Sequence, residues 1–145
     1  MMTIGVAWLL ALAAYDDIRT REIRIIYILI FAIAGIVLNI LTPPESISSI
    51  LCGVLTGVVV LIFSILSNEK IGKGDALLLM VIGLYLGFYM TIALLWLASI
   101  MAAIFGIAII GIKKEKLRYE IPFVPFLLVA YIFITTLKWV GGYLA

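Results

Sequence analysis

Histidine is absent from the chain and cysteine occurs once, as Cys52 inside an apolar run. No disulfide can close within the chain, and no zinc cluster can be built from cysteine and histidine. The missing imidazole also excludes a Ser-His-Asp hydrolase, a Cys-His protease and a His-Glu-x-x-His metalloprotease. No metal site and no cofactor are expected. Charge is scarce too, at 12% of residues. The basic residues form no tract long enough to track a nucleic-acid backbone, so nucleic acid is not an expected partner. What fills the chain is apolar: 66% of the 145 residues are hydrophobic, and mean hydropathy is +1.34. That composition belongs to an integral membrane protein whose solvent is a lipid bilayer.

Hydropathy divides the chain into six apolar spans, predicting an all-α, polytopic bundle of six transmembrane helices, one membrane domain over residues 1–145. The first runs roughly from Thr3 to Tyr15. No Lys or Arg precedes it and acids follow at once, which reads as a retained span rather than a cleaved signal. The second covers about Ile25 to Leu41 and ends at the turn Thr42-Pro43-Pro44-Glu45-Ser46, because Pro-Pro cannot continue a helix. The third covers about Ile47 to Leu66. From Ala76 to Ile112 the chain is apolar without a break, about twice what one crossing needs, and a split near Phe88 to Thr91 gives a fourth and a fifth span. The sixth runs from near Ile121 to near Val140.

The charges sort by side. The polar segments after spans one, three and five lie on one face, because two crossings separate each from the next. Arg19, Arg21, Arg24, Lys70, Lys73, Lys113, Lys114, Lys116 and Arg118 all fall there, and only Lys138 lies toward the other face. The positive-inside rule makes the basic face cytoplasmic and puts both chain ends outside the cytoplasm.

The chain's three aspartates share that face: Asp16, Asp17 and Asp75. A carboxylate at a membrane segment is expensive, roughly 2.5–3.5 kcal/mol at a helix centre, and is a candidate for function. Asp75 closes the stretch Gly72-Lys73-Gly74-Asp75 at the mouth of a long apolar run, where it could also simply cap the following helix. Asp16 and Asp17 end a short first span, about 20 Å of helix against a hydrocarbon core of about 30 Å, so they sit at or below the headgroup level. Arg19 and Arg21 could neutralise them there. With no histidine and one cysteine, a pair of aspartates sharing a proton is one of the few remaining routes to hydrolysis: one carboxyl serves as base toward water, the other as acid toward the carbonyl oxygen or leaving amine. Glycines beside the aspartate would let a substrate backbone approach.

Other features are structural. Gly53-Val54-Leu55-Thr56-Gly57 and Gly83-Leu84-Tyr85-Leu86-Gly87 are patterns that let helices pack closely within a bundle or between chains, and they leave the oligomeric state open. Ile121-Pro122-Phe123-Val124-Pro125-Phe126-Leu127 opens the last span, and two prolines three apart suggest a shaped entry.

Asp17-Ile18-Arg19, then Gly72-Lys73-Gly74-Asp75, then Ile121-Pro122-Phe123-Val124-Pro125-Phe126-Leu127 stand in the order seen in prepilin peptidases and archaeal preflagellin peptidases. The chain resembles that family of GxGD membrane aspartic proteases over almost its whole length. The resemblance implies that Asp17 and Asp75 are catalytic, with Arg19, Gly72, Lys73, Gly74, Pro122 and Pro125 as supporting or substrate-binding residues. It implies cleavage of a short positively charged leader from pilin-like or archaellin-like precursors at the cytoplasmic border of the cell membrane. The chain departs from the family pattern at Ile23-Arg24-Ile25, where Ile-Pro-Asn is common, and at Leu77, where Lys is common. It has no paired CxxC region, so a peptidase without methyltransferase activity is expected. A presenilin-like or signal-peptide-peptidase-like protease is a rival that would use Asp16, from Tyr15-Asp16, in place of Asp17; it calls for more spans and a Pro-Ala-Leu motif, which are lacking. A small transporter or non-catalytic scaffold is the rival from another class.

Overall fold

In the computed structural model the described residues are 2–42, 46–67, 72–113 and 122–144. They form an all-α protein of five helices: α1 Met2–Thr20, α2 Ile25–Leu41, α3 Ile47–Leu66, α4 Lys73–Lys113 and α5 Val124–Leu144. Three are long and apolar enough to cross a membrane, α3, α4 and α5, and α2 is a shorter apolar helix. The expected Pro43-Pro44 turn, most of the polar loop after α3 and nearly all of the loop from Lys113 to Glu120 lie outside the described residues.

The count is five and not the expected six, because the expected fourth and fifth helices are one 41-residue element. Its interruption is a single residue, Gly87, at φ 70° and ψ −172°. A positive φ of this kind is open to glycine and strained for other residues. Two side chains bond the backbone at the break: the Phe88 N–H donates to Ser49 Oγ at 3.2 Å, and Thr91 Oγ1 donates to the Gly87 carbonyl at 2.7 Å. The chain changes course there. Along the first arm, Met80 packs on Gly57, Gly83 on Gly53 and Phe88 on Ser49, so α3 and this arm are antiparallel and Phe88 lies far from Asp75. Along the second arm, the Phe105 ring meets the tilted ring of Phe126 with centroids 5.5 Å apart, two residues from the Val124 amide that binds Asp17. The second arm thus runs back toward the end of the bundle that holds the acids.

The first helix also differs from expectation. The apolar span was expected to stop at Tyr15, but the helix continues through Asp16 and Asp17 to Thr20. Hydropathy marks where lipid ends, whereas the helix ends where the backbone leaves αR. That happens at Arg21, which takes φ 56° while its N–H closes back on the Asp17 carbonyl at 3.1 Å. The last span, expected from near Ile121 to near Val140, is a helix from Val124 to Leu144.

The core is built by three stripes. Val6, Leu9, Leu10, Ala13 and Ala14 line one face of α1, at the three- and four-residue spacing of a helix. Leu78, Leu79, Ile82 and Tyr85 line the first arm of α4, and Val124, Leu127, Ala130 and Tyr131 line α5. Tyr85 wedges between Gly5 and Gly35 and donates to the Phe31 carbonyl at 2.8 Å. Asn39 donates to the Leu84 and Gly35 carbonyls, both at 2.8 Å, tying α2 to the same arm. Tyr131 ties α5 to the start of α1 by donating to the Thr3 carbonyl at 2.7 Å. The glycine pairs act as expected: a Cβ on Gly83 would run into the Gly53 carbonyl group, and one on Gly57 would run into the Met80 backbone. By contrast α2 and much of α3 present Ile25, Ile26, Leu29, Ile33, Ile40, Leu55 and Phe63 outward, as a lipid-facing surface requires.

Candidate active site

The site is assembled at the end of the bundle where α1 stops and α4 and α5 begin. Asp17 lies in the last turn of α1 and is buried. Its Oδ2 accepts the Val124 N–H at 2.9 Å across 107 residues of sequence, and the Phe123 N–H is a second backbone donor to the same carboxylate. Asp17 therefore caps α5 from outside. The prolines explain why these two amides are presented. Pro122 and Pro125 carry no N–H, and Pro125 is accepted in the first turn because that donor would be orphaned anyway. Between them Phe123 and Val124 supply the free donors of the helix end, and an anion is the natural partner there.

Asp75 lies in the first turn of α4, half-buried, with its N–H directed to the Gly72 carbonyl at 3.2 Å. It stands in the electrostatic field of Asp17, so the two acids that are far apart in sequence are brought together. Each glycine before it has a steric reason. A Cβ on Gly72 would sit 3.0 Å from Asp75 Oδ2, and a Cβ on Gly74 would sit 3.2 Å from the Ile23 Cβ and Cδ1. Gly72 leaves room for the carboxyl itself, and Gly74 lets the α1–α2 connection close over the start of α4.

The other expected site residues are placed as follows. Arg19 is exposed and donates to the Tyr15 hydroxyl at 3.0 Å, one turn back on its own helix. The guanidinium near the acids belongs to other residues: Arg21 acts electrostatically on Asp17, and Arg24 Nε lies 3.7 Å from Asp16 Oδ2. Lys73 is exposed at the start of α4, while Pro122 and Pro125 are half-buried at the start of α5. Asp16 is buried beside Asp17, with its Oδ2 taking no hydrogen bond. The Phe123 and Val124 amides, Ile23 and the Arg24 partnership went unread in the sequence. The two prolines were the one available signal for the amides, since they bracket them.

A small α-helical integral membrane protein with two aspartates converging at one end of its bundle is the class that fold and site define. The chain matches the type IV leader peptidase family over residues 4–107, more than half its length, and it belongs to that family. The matched part contains α1 to most of α4, with Asp17, Gly72, Gly74 and Asp75, and stops before Pro122. Two curated relatives, prepilin leader peptidase/N-methyltransferases of Aeromonas salmonicida strain A449 and of Aeromonas salmonicida, are each 32% identical over 102 residues, covering 66% of this chain and 35% of the relative. The chain thus spans about a third of the length of the curated relatives it matches. No solved structure matches it.

Proposed function

We propose that the protein is a membrane aspartic endopeptidase of the GxGD type, with Asp17 and Asp75 as its catalytic pair, removing the leader from pilin-like or archaellin-like precursors. The observation that carries this reading is the convergence of Asp17 and Asp75 from the ends of two different helices: Ile23, in the connection that follows Asp17, packs on Gly74 beside Asp75, and Asp17 acts electrostatically on Asp75. Two carboxylates so placed resist ionising together and share one proton. The charged member takes a proton from water as that water attacks the scissile carbonyl, and the protonated member delivers a proton to the carbonyl oxygen or departing amine. The two amides at the start of α5 hold Asp17 in place through this exchange. Membership in the leader peptidase family supports a protease, and the names of the relatives support a prepilin substrate.

With α1, α2, α3, each arm of α4 and α5 as crossings, the segregation of nine of the ten Lys and Arg residues supports a site at the cytoplasmic border of the cell membrane with both described chain ends on the other side. A substrate cut there enters from the lipid interface with its polar leader in water. The test uses purified protein in liposomes with a pilin-like and an archaellin-like precursor, the products weighed by mass spectrometry. A single cut that removes a short leader, lost in Asp17→Asn and in Asp75→Asn, is the expected result. Cleavage that persists in both variants would remove the carboxylate pair from the mechanism.

A further inference from the structure

The connection between α1 and α2 is only four residues long, and it is fastened at both ends to the helix turn that carries the acids. At its start the Arg21 N–H binds the Asp17 carbonyl, and Thr20 Oγ1 lies 2.9 Å from the Asp16 carbonyl and 3.1 Å from that of Glu22. At its end Arg24, two-thirds exposed, reaches back so that Nε lies 3.7 Å from the buried Asp16 Oδ2, an oxygen with no hydrogen bond. Between these fastenings Ile23 presses on Gly74, the residue before Asp75. Asp16 belongs to neither the cap on α5 nor the Asp17–Asp75 pair, yet it is as buried as Asp17. A buried carboxylate beside the chemistry, with an arginine brought round to it by a strained left-handed turn, calls for a reason.

We infer that the Asp16–Arg24 ion pair is a positioning clamp: it holds the α1–α2 connection down on Gly74 and so sets Asp75 against Asp17. The proposal rests on the peptidase reading above. Asp16 and Arg24 are positioning residues, and neither needs to touch substrate. Neutralising Arg24 leaves the Asp16 charge buried without this counter-ion and frees the connection to rise. The start of α4 then loses the Ile23 contact, and Asp75 moves away from Asp17. A displacement of about 1 Å at a reacting centre costs up to about a hundredfold in rate.

Two measurements test the clamp, one of them independent of activity. In the first, Ile23→Cys and Gly74→Cys are combined in a Cys52→Ser background. A Cβ on Gly74 lies 3.2 Å from that of residue 23, near the separation of roughly 3.5–4.5 Å found in disulfides. The pair should cross-link readily in membranes, several times more slowly when Arg24→Gln is added, and again readily with Arg24→Lys. An unchanged cross-linking rate in Arg24→Gln overturns the clamp. In the second, precursor cleavage by Arg24→Gln should show kcat down roughly tenfold or more with KM unchanged, a narrower pH profile as the two carboxyls separate, and recovery in Arg24→Lys. Wild-type kcat, a loss confined to KM, or a loss with the pH profile unmoved would each contradict it. If Asp17→Asn still cleaves, the peptidase reading fails while the cross-linking result continues to judge the clamp.

Discussion

Gly83→Ala should be among the most damaging single-methyl changes in the protein, and its cost can be worked from the α3–α4 contact. The added Cβ would run into the carbonyl carbon and oxygen of Gly53, with the Val54 amide nitrogen 2.7 Å away. All three are backbone atoms, so no side chain can turn aside and the helices must separate by about 1 Å to regain ordinary contact. Overpacking of this kind costs roughly 1–3 kcal/mol. Separation also stretches the Phe88 N–H to Ser49 Oγ bond, already 3.2 Å, and a lost hydrogen bond adds about 0.5–1.5 kcal/mol. Together these come to about 1.5–4.5 kcal/mol. At about 2–4 °C per kcal/mol for a chain of this size, the melting temperature in detergent should fall by roughly 3–18 °C. Gly141→Ala is the matched control: no atom lies within 4 Å of its new Cβ, and the site is helical and exposed. It should be neutral or stabilised by up to about 1 kcal/mol. Thermal denaturation followed by circular dichroism measures both. A Gly83→Ala midpoint within 2 °C or so of wild type would refute the claim that backbone contact sets the α3–α4 spacing.

Other outcomes follow from single contacts. Asp17→Asn keeps an oxygen acceptor for the Val124 amide, whereas Asp17→Ala leaves it without one, so the alanine variant should lose about 0.5–2 kcal/mol more stability, read by the same melts. Gly72→Ala places a methyl 3.0 Å from Asp75 Oδ2, so cleavage should fall roughly tenfold while the melting temperature stays near wild type. Tyr85→Phe removes the bond to the Phe31 carbonyl and should cost about 1 kcal/mol in the melt with no change in the pH dependence of cleavage.

The sequence was most legible where lipid dictates it. The second and third spans, Ile25 to Leu41 and Ile47 to Leu66 by hydropathy, coincide with α2 and α3, because polar or proline-rich residues flank each apolar run. It was less legible where backbone geometry decides. Hydropathy ended the first span at Tyr15, but Asp16 and Asp17 stay helical until Arg21 turns left-handed, and that extension carries Asp17 to α5. The long apolar run reads as two spans divided near Phe88 to Thr91; the interruption is one residue, Gly87, a kink between two helical arms, with Ser49 bonding the Phe88 N–H and Thr91 the Gly87 carbonyl. The glycines before Asp75, which read as room for a substrate backbone, also make room for the Asp75 carboxyl and for Ile23. Arg19, a supporting residue by the family resemblance and a possible neutraliser of the acids alongside Arg21, bonds Tyr15 on the exposed helix face, and Arg24 reaches Asp16 only because the chain doubles back. A cap from Asp17 to Val124 spans 107 residues, beyond any local pattern.

The central claim is that Asp17 and Asp75 act together, and leader cleavage in membranes tests it most directly. A pilin-like or archaellin-like precursor is co-expressed with wild type, Asp16→Asn, Asp17→Asn or Asp75→Asn, and the small shift in precursor size is followed. Cleavage should disappear in Asp17→Asn and in Asp75→Asn and persist, at a reduced rate, in Asp16→Asn. Cleavage lost in Asp16→Asn but kept in Asp17→Asn, or kept in all three, would contradict it.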